Sequence, residues 1–277
     1  MPRLRLNGPS PVPGAEGAAP VEPLLLRRLA AELLGSALLA ATVVGSGIAA
    51  QHLSPVDVGL ELFENAAATA AGLYAFILMF GRVSGAHLNP VVSLVDAALG
   101  GLRPRDALHY AVAQVAGCAV GAMAANLMFS RALVNISTKH RATGAHFFSE
   151  VVATFGLVLV IFALSRNGRA RSVPAAVGAY IGAAYFFTSS TSFANPAIAL
   201  GRMLSNSFAG IAPSSVPLFV GAEVLGGTLA LGVVRLLYPH PARSANVASA
   251  TRGAAIHAAP APVLDGGYKP VPSAEVP

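Results

Sequence analysis

Two asparagine–proline pairs interrupt a mostly apolar chain: Asn89–Pro90 in AHLNPVVSL and Asn195–Pro196 in SFANPAIAL. An asparagine amide carries two N–H donors and one carbonyl acceptor. A proline suits the first turn of a helix, where its missing N–H has no helical partner. Each pair therefore reads as the start of a helix, with an asparagine that caps it, offers donors to a passing oxygen, or does both. Two carboxylates, Glu32 and Glu150, lie in equally apolar surroundings. One reading of them is proton coupling; the other is acceptance of backbone N–H groups from nearby irregular segments. His87, two residues before Asn89, reads as a lining polar group or as a loop histidine bonded to backbone. Asp96 and Arg202 each follow their asparagine by seven residues and belong near opposite mouths. The sequence holds no metal-ligand cluster, no nucleophile with a base at fixed spacing and no phosphate loop. The expected chemistry is non-covalent, with no enzyme activity, no cofactor and no metal.

The elements that must position these residues are membrane spans. The chain of 277 residues is 55% hydrophobic and 11% charged, against roughly 25% charged in soluble domains. The net charge of +6 is too modest, and too confined to tails and loops, to suggest nucleic-acid binding. A single cysteine, Cys118, excludes an intrachain disulfide and reads as packing in the third span. Six stretches approach the roughly 20 apolar residues that a spanning helix needs: about 29–50, 62–81, 107–130, 147–165, 173–189 and 216–238. Two shorter stretches, about 90–99 and 196–204, each begin at a proline and read as half-helices. Residues 1–27 and 239–277, rich in Pro, Gly and Ala, read as disordered tails around a channel domain at 28–238.

The two halves repeat each other, about 28–130 and 147–238. AELLGSALL, with Glu32, matches SEVVATFGL, with Glu150; AQVAGCAVG, with Gln114, matches AEVLGGTLA, with Glu223. Three spans per repeat invert the second copy in the membrane. Paired interrupted segments in an inverted repeat place a permeation site at the midplane. Irregular backbone survives there only when buried in protein or lining a watery cavity. Two half-helices entering from opposite faces bring Asn89 and Asn195 together, with their positive ends aimed at one spot. That spot repels cations and offers donors to a neutral, oxygen-bearing solute. Counting Lys and Arg, fourteen lie on one side and four on the other, which puts both termini in the cytoplasm. Two functions fit: a passive channel for neutral solutes, or an ion- or proton-coupled transporter using Glu32, Glu150 or Glu223. Rigidly capped half-helices and little intramembrane charge favour the channel. Gly117 and Gly121, four residues apart in the third span, suggest close helix crossing.

At these residues the chain resembles the aquaporins, or major intrinsic proteins. SGAHLNPVVS resembles the first Asn-Pro-Ala box of that family, with Val91 in place of its alanine, and ANPA at 194–197 resembles the second. Glu32, Glu150, Tyr110 and Gln114 fall where the family has such residues. The resemblance implies an all-α membrane fold of six spanning helices and two re-entrant half-helices. It also implies a homotetramer in the lipid bilayer, here in the inner membrane of a cell, passing water or small neutral solutes. The family's second box continues with an arginine, where this chain has Ile198; the nearest arginine is Arg202, one turn further on. Carried over by spacing, the other positions of the family's outer filter fall on Thr69, Ala183 and Ser192. A filter of Thr69, Ala183, Ser192 and Ile198 implies a wide and rather apolar opening. TSSTSFANPA resembles a bacterial subgroup encoded beside arsenic-resistance genes, which implies polyols and uncharged metalloid acids such as arsenous acid as permeants.

Overall fold

The structure, a computed structural model, describes residues 23–239. Most of the two expected tails, residues 1–22 and 240–277, therefore lies outside the described residues. The expected boundary at residue 27 is corrected, because helix α1 already begins at Leu25.

Six long helices and two short ones follow in the expected order. They are α1 (Leu25–Leu53), α2 (Val58–Phe80), α3 (Pro90–Ala98), α4 (Pro104–Met128), α5 (Gly144–Arg166), α6 (Val173–Phe187), α7 (Pro196–Arg202) and α8 (Val216–Leu237). Local chemistry fixes several starts. The Asp57 carboxylate accepts from the Leu60 N–H at 2.9 Å and opens α2. Thr143 Oγ1 accepts from the His146 N–H at 3.1 Å and opens α5. Prolines occupy the first turn of α3, α4, α6, α7 and α8. Each such helix starts where no N–H is needed. α6 has only 15 residues, too few to cross the roughly 30 Å hydrocarbon layer at about 1.5 Å per residue. A tight turn at Ala170–Ser172 extends it on the side where it begins.

The repeat is visible in the packing. α1 lies chiefly on α4, and α5 on α8. Gly117 and Gly121 let α4 approach α1 closely. A Cβ on either would come within 2.2 Å of the Leu33 carbonyl oxygen or 2.0 Å of that of Ala37. The starts of α1 and α4 and the ends of α5 and α8 share one face, tied by bonds from Arg28 to Tyr110 and from Arg166 to the Tyr238 carbonyl. We term this the terminal face. α3 enters from it, since Arg235 donates to the Ala98 carbonyl at 2.8 Å. α7 enters from the opposite face, where Asn126 of α4 holds the Leu204 carbonyl at 2.8 Å. Large apolar side chains such as Phe63, Val112, Phe148 and Leu229 are exposed, while Glu32, Gln114, Glu150 and Glu223 are fully buried. That is the inside-out distribution of a protein whose surroundings are lipid.

Candidate conduction pathway

The two short helices meet end to end through their capping asparagines. Asn89 Oδ1 accepts from the Val91 N–H at 2.9 Å, and its Nδ2 donates to the Ala194 carbonyl at 2.7 Å. Asn195 Oδ1 accepts from the Ala197 N–H at 3.0 Å, and its Nδ2 donates to the Leu88 carbonyl at 2.7 Å. Each amide thus caps its own helix and grips the loop of the other repeat. Each amide nitrogen carries a second N–H, and both asparagines line a cavity that runs between the repeats. Pro90 and Pro196 follow as the first helical residues, both buried.

The approach to each asparagine is strained in the same way. Ala86 and Leu88 have φ of 48° and 50°; Ser192 and Ala194 have φ of 50° and 48°. Such left-handed conformations are costly for residues with a Cβ and persist only where the surroundings hold them. The holders are the two buried glutamates. Glu32 accepts from the N–H groups of His87 and Leu88 at 3.0 and 2.7 Å, and Glu150 accepts from those of Phe193 and Ala194 at 2.9 and 2.7 Å. A third carboxylate, Glu223, accepts from the Asn195 N–H at 3.0 Å. Its signal in sequence was its match to Gln114, whose amide instead donates to Glu32 at 2.7 Å.

Most of the cavity wall is apolar, from Leu39, Leu73, Leu157, Val177 and Ile181 among others. His87 lines it towards the terminal face. Its Nδ1 shares a 3.1 Å hydrogen bond with Ser93, its Nε2 lies 3.6 Å from Asp96, and its ring meets Tyr110 edge-on at 5.5 Å. Towards the opposite face the lining includes Thr69, Ser192, Ile198 and Arg202. Ala183 does not belong with them. It is exposed on the outer side of α6, and the α6 residue that lines the cavity near Thr69 is Tyr185. Two residues along a helix turn by about 200°, so Ala183 and Tyr185 point in opposite directions. The Tyr185 and Thr69 hydroxyls share a 3.0 Å hydrogen bond. The expectation of a filter without aromatic or charged groups is thereby corrected. Arg202 is also drawn in: its guanidinium lies 3.4 Å from the Phe193 ring centroid, and its Nε donates to the Ala209 carbonyl.

Three further cations, Arg131, Lys139 and Arg141, occupy the loop between α4 and α5. Burial pushes the Arg141 guanidinium down to about 10. Burial first, then the nearby charges of Arg141 and Arg202, pushes the Lys139 amine down to about 8. Sequence reasoning missed Tyr185, Phe193 and Arg141. The first was hidden by helix phase, the others by lying in irregular segments.

The arrangement is a largely apolar passage with two asparagine amides at its centre, and comparison with known proteins agrees with it. Residues 21–194 match the family model "Major intrinsic protein". The chain is 50% identical over 219 residues to the aquaglyceroporin AqpS of Rhizobium meliloti, covering 79% of this chain and 93% of that protein. It is 30% identical to the glycerol uptake facilitator protein of Pseudomonas aeruginosa, over 79% and 91% of the two chains. The crystal structure of the aquaglyceroporin from Plasmodium falciparum superposes with a TM-score of 0.60 at 20% identity, which speaks for the fold alone; it covers 77% of this chain and 97% of that one. Over half of the sequence matches one family model, and its inverted helices and paired asparagines fit no other reading as well: this chain belongs to the major intrinsic protein family.

Proposed function

We propose that this passive channel for water and small neutral solutes is of a wide-filter type. Its permeants are polyols such as glycerol and uncharged metalloid acids such as arsenous acid. Asn89 and Asn195 supply the central donors, with Pro90 and Pro196 fixing the half-helices. Thr69, Tyr185, Ser192, Ile198 and Arg202 bound the outer opening, and His87 lines the inner one. Glu32 and Glu150 hold the loops. The single observation that carries the wide filter is at residue 198. An apolar isoleucine lines the passage there, and the nearest cation, Arg202, is drawn back onto Phe193. A hydroxylated solute meets hydroxyls on one side, from Thr69, Tyr185 and Ser192, and hydrocarbon on the other. Selectivity then follows from diameter and lining donors rather than from a projecting charge. The chain acts as a homotetramer in the inner membrane of a cell, with both termini cytoplasmic.

Stopped-flow light scattering on proteoliposomes, with a panel from water through glycerol to arsenous acid, tests the proposal. Glycerol flux linear in its gradient and indifferent to ionophores is expected. Water flux with no glycerol or arsenous acid flux would refute the wide filter. Saturating flux abolished by an ionophore would point to coupled transport instead.

A further inference from the structure

The segment joining α4 to α5, residues 129–143, has no helical or strand periodicity, yet Arg141 within it is only 6% exposed. Its side chain makes three bonds to backbone. Nε donates to the Gly210 carbonyl at 2.9 Å, Nη2 to that of Phe208 at 3.1 Å and Nη1 to that of Ser190 at 3.4 Å. Its own N–H donates to Ser215 Oγ at 2.9 Å. One guanidinium thus joins the turn before Ser192 to the loop after α7. Arg202 holds the carbonyl in between, that of Ala209. Phe208, Ala209 and Gly210 therefore present three successive carbonyls to two arginines. The same two arginines share the Phe193 ring, Arg202 at 3.4 Å and Arg141 at 5.3 Å from its centroid. Arg202 lines the cavity and Arg141 does not.

We propose that Arg141 is the positioning residue for Arg202: by fixing the carbonyls on either side of Ala209, it keeps the Arg202 guanidinium drawn back on Phe193 and the passage open to glycerol-sized solutes. The inference rests on the reading that Arg202 bounds the passage. The physical reason is geometric. A guanidinium keeps its place when its donors meet fixed acceptors, and the acceptor of Arg202 lies between the two carbonyls that Arg141 holds. Without Arg141 the loop at 206–212 keeps the bonds of Arg131 to the Asn206 carbonyl and of Lys139 to that of Phe208 but loses those at Gly210 and Ser190, so the Ala209 carbonyl no longer holds Arg202 aside. A released guanidinium swings into the lumen and obstructs large solutes more than water.

A double-mutant cycle tests this. Glycerol and water permeabilities are measured by stopped flow at matched protein density for the unmodified channel, Arg141→Gln, Arg202→Ala and the double variant. The glycerol-to-water ratio should fall roughly five-fold in Arg141→Gln, the factor that corresponds to the net worth of about one hydrogen bond. In the Arg202→Ala background, Arg141→Gln should leave the ratio unchanged. An equal fall in both backgrounds means that Arg141 does not act through Arg202 and overturns the inference. So does an unaltered ratio in Arg141→Gln when Arg202→Ala itself shifts it. If neither Arg202→Ala nor Arg141→Gln shifts the ratio, Arg202 does not bound the passage, and the underlying reading falls with the inference. Should Arg141→Gln fail to insert, Arg141→Lys carries the same cycle. A single ammonium serves fewer carbonyls from one point, so it should give an intermediate fall that likewise vanishes without Arg202.

Discussion

At the terminal face His87 meets Tyr110 edge-on at 5.5 Å, and Asp96 lies against the histidine; at the opposite face Phe193 meets Phe219 edge-on at 4.8 Å, and Arg202 covers the phenylalanine. The three pairs of positions, His87 and Phe193, Tyr110 and Phe219, and Asp96 and Arg202, correspond through the internal repeat. His87 and Phe193 each precede their asparagine by two residues, and Asp96 and Arg202 each follow it by seven. Even the outer partner is echoed, since Arg28 lies over the Tyr110 ring and His146 meets Phe219 edge-on. One aromatic frame is thus used twice, with an anion set on it at one mouth and a cation at the other. The frame holds the loops; the residue seven beyond the asparagine sets the sign of the charge. The glutamates differ as well. Glu32 accepts from Ser84 and Gln114 in addition to two backbone N–H groups, whereas Glu150 has Ser190 and two backbone N–H groups, and in place of a glutamine the far loop has the carboxylate of Glu223.

The largest test of this comparison removes the glutamates. Each buried donor left without its acceptor costs about 1–3 kcal/mol. Glu32→Ala, which strands four donors, should lose about 3 kcal/mol or more, and Glu150→Ala less. Thermal unfolding of both variants in one detergent measures it, and equal losses would break the claim that the two loops are held unequally. Next comes the charge at the opposite mouth. Ile198→Arg places a cation where the passage is lined by an isoleucine. It should lower the glycerol-to-water permeability ratio roughly ten-fold, the equivalent of about 1.4 kcal/mol of barrier. If Arg202 alone sets the limit, that ratio stays put and Arg202→Ala raises it instead. At the terminal mouth Asp96→Asn should be gentler, with the ratio held within about two-fold, as for a change worth less than about 0.5 kcal/mol. A ten-fold shift there would mean that both mouths select. The smallest effect is on Lys139. Its amine, pushed down to about 8, loses its charge as pH rises through that value. Quantitative acylation followed by mass spectrometry should show its reactivity half-developed near pH 8, with the chain's other lysine, Lys269, as reference. Half-development two units higher would mean that neither burial nor the neighbouring arginines depress this amine.

Much of this frame could be read from the chain itself. The asparagine–proline pairs start α3 and α7 because capping and the missing proline N–H are local properties. The long apolar stretches become helices that bury their few carboxylates because lipid leaves no alternative. The repeat located Glu32 and Glu150 beside their loops. The sequence alone therefore determined the spans, the half-helices and the meeting of Asn89 with Asn195. It could not determine which face of α6 looks inward. Counting back from Asn195 crosses the turn at 188–194, whose left-handed residues Thr191, Ser192 and Ala194 break any regular step, and a two-residue slip trades Ala183 for Tyr185. Nor could it show Arg141 and Arg202 on one ring. Their partners are the carbonyls of Phe208, Ala209 and Gly210. Every residue carries such a carbonyl, so no side-chain type marks it, and only the tertiary path of the loop decides which one faces a guanidinium.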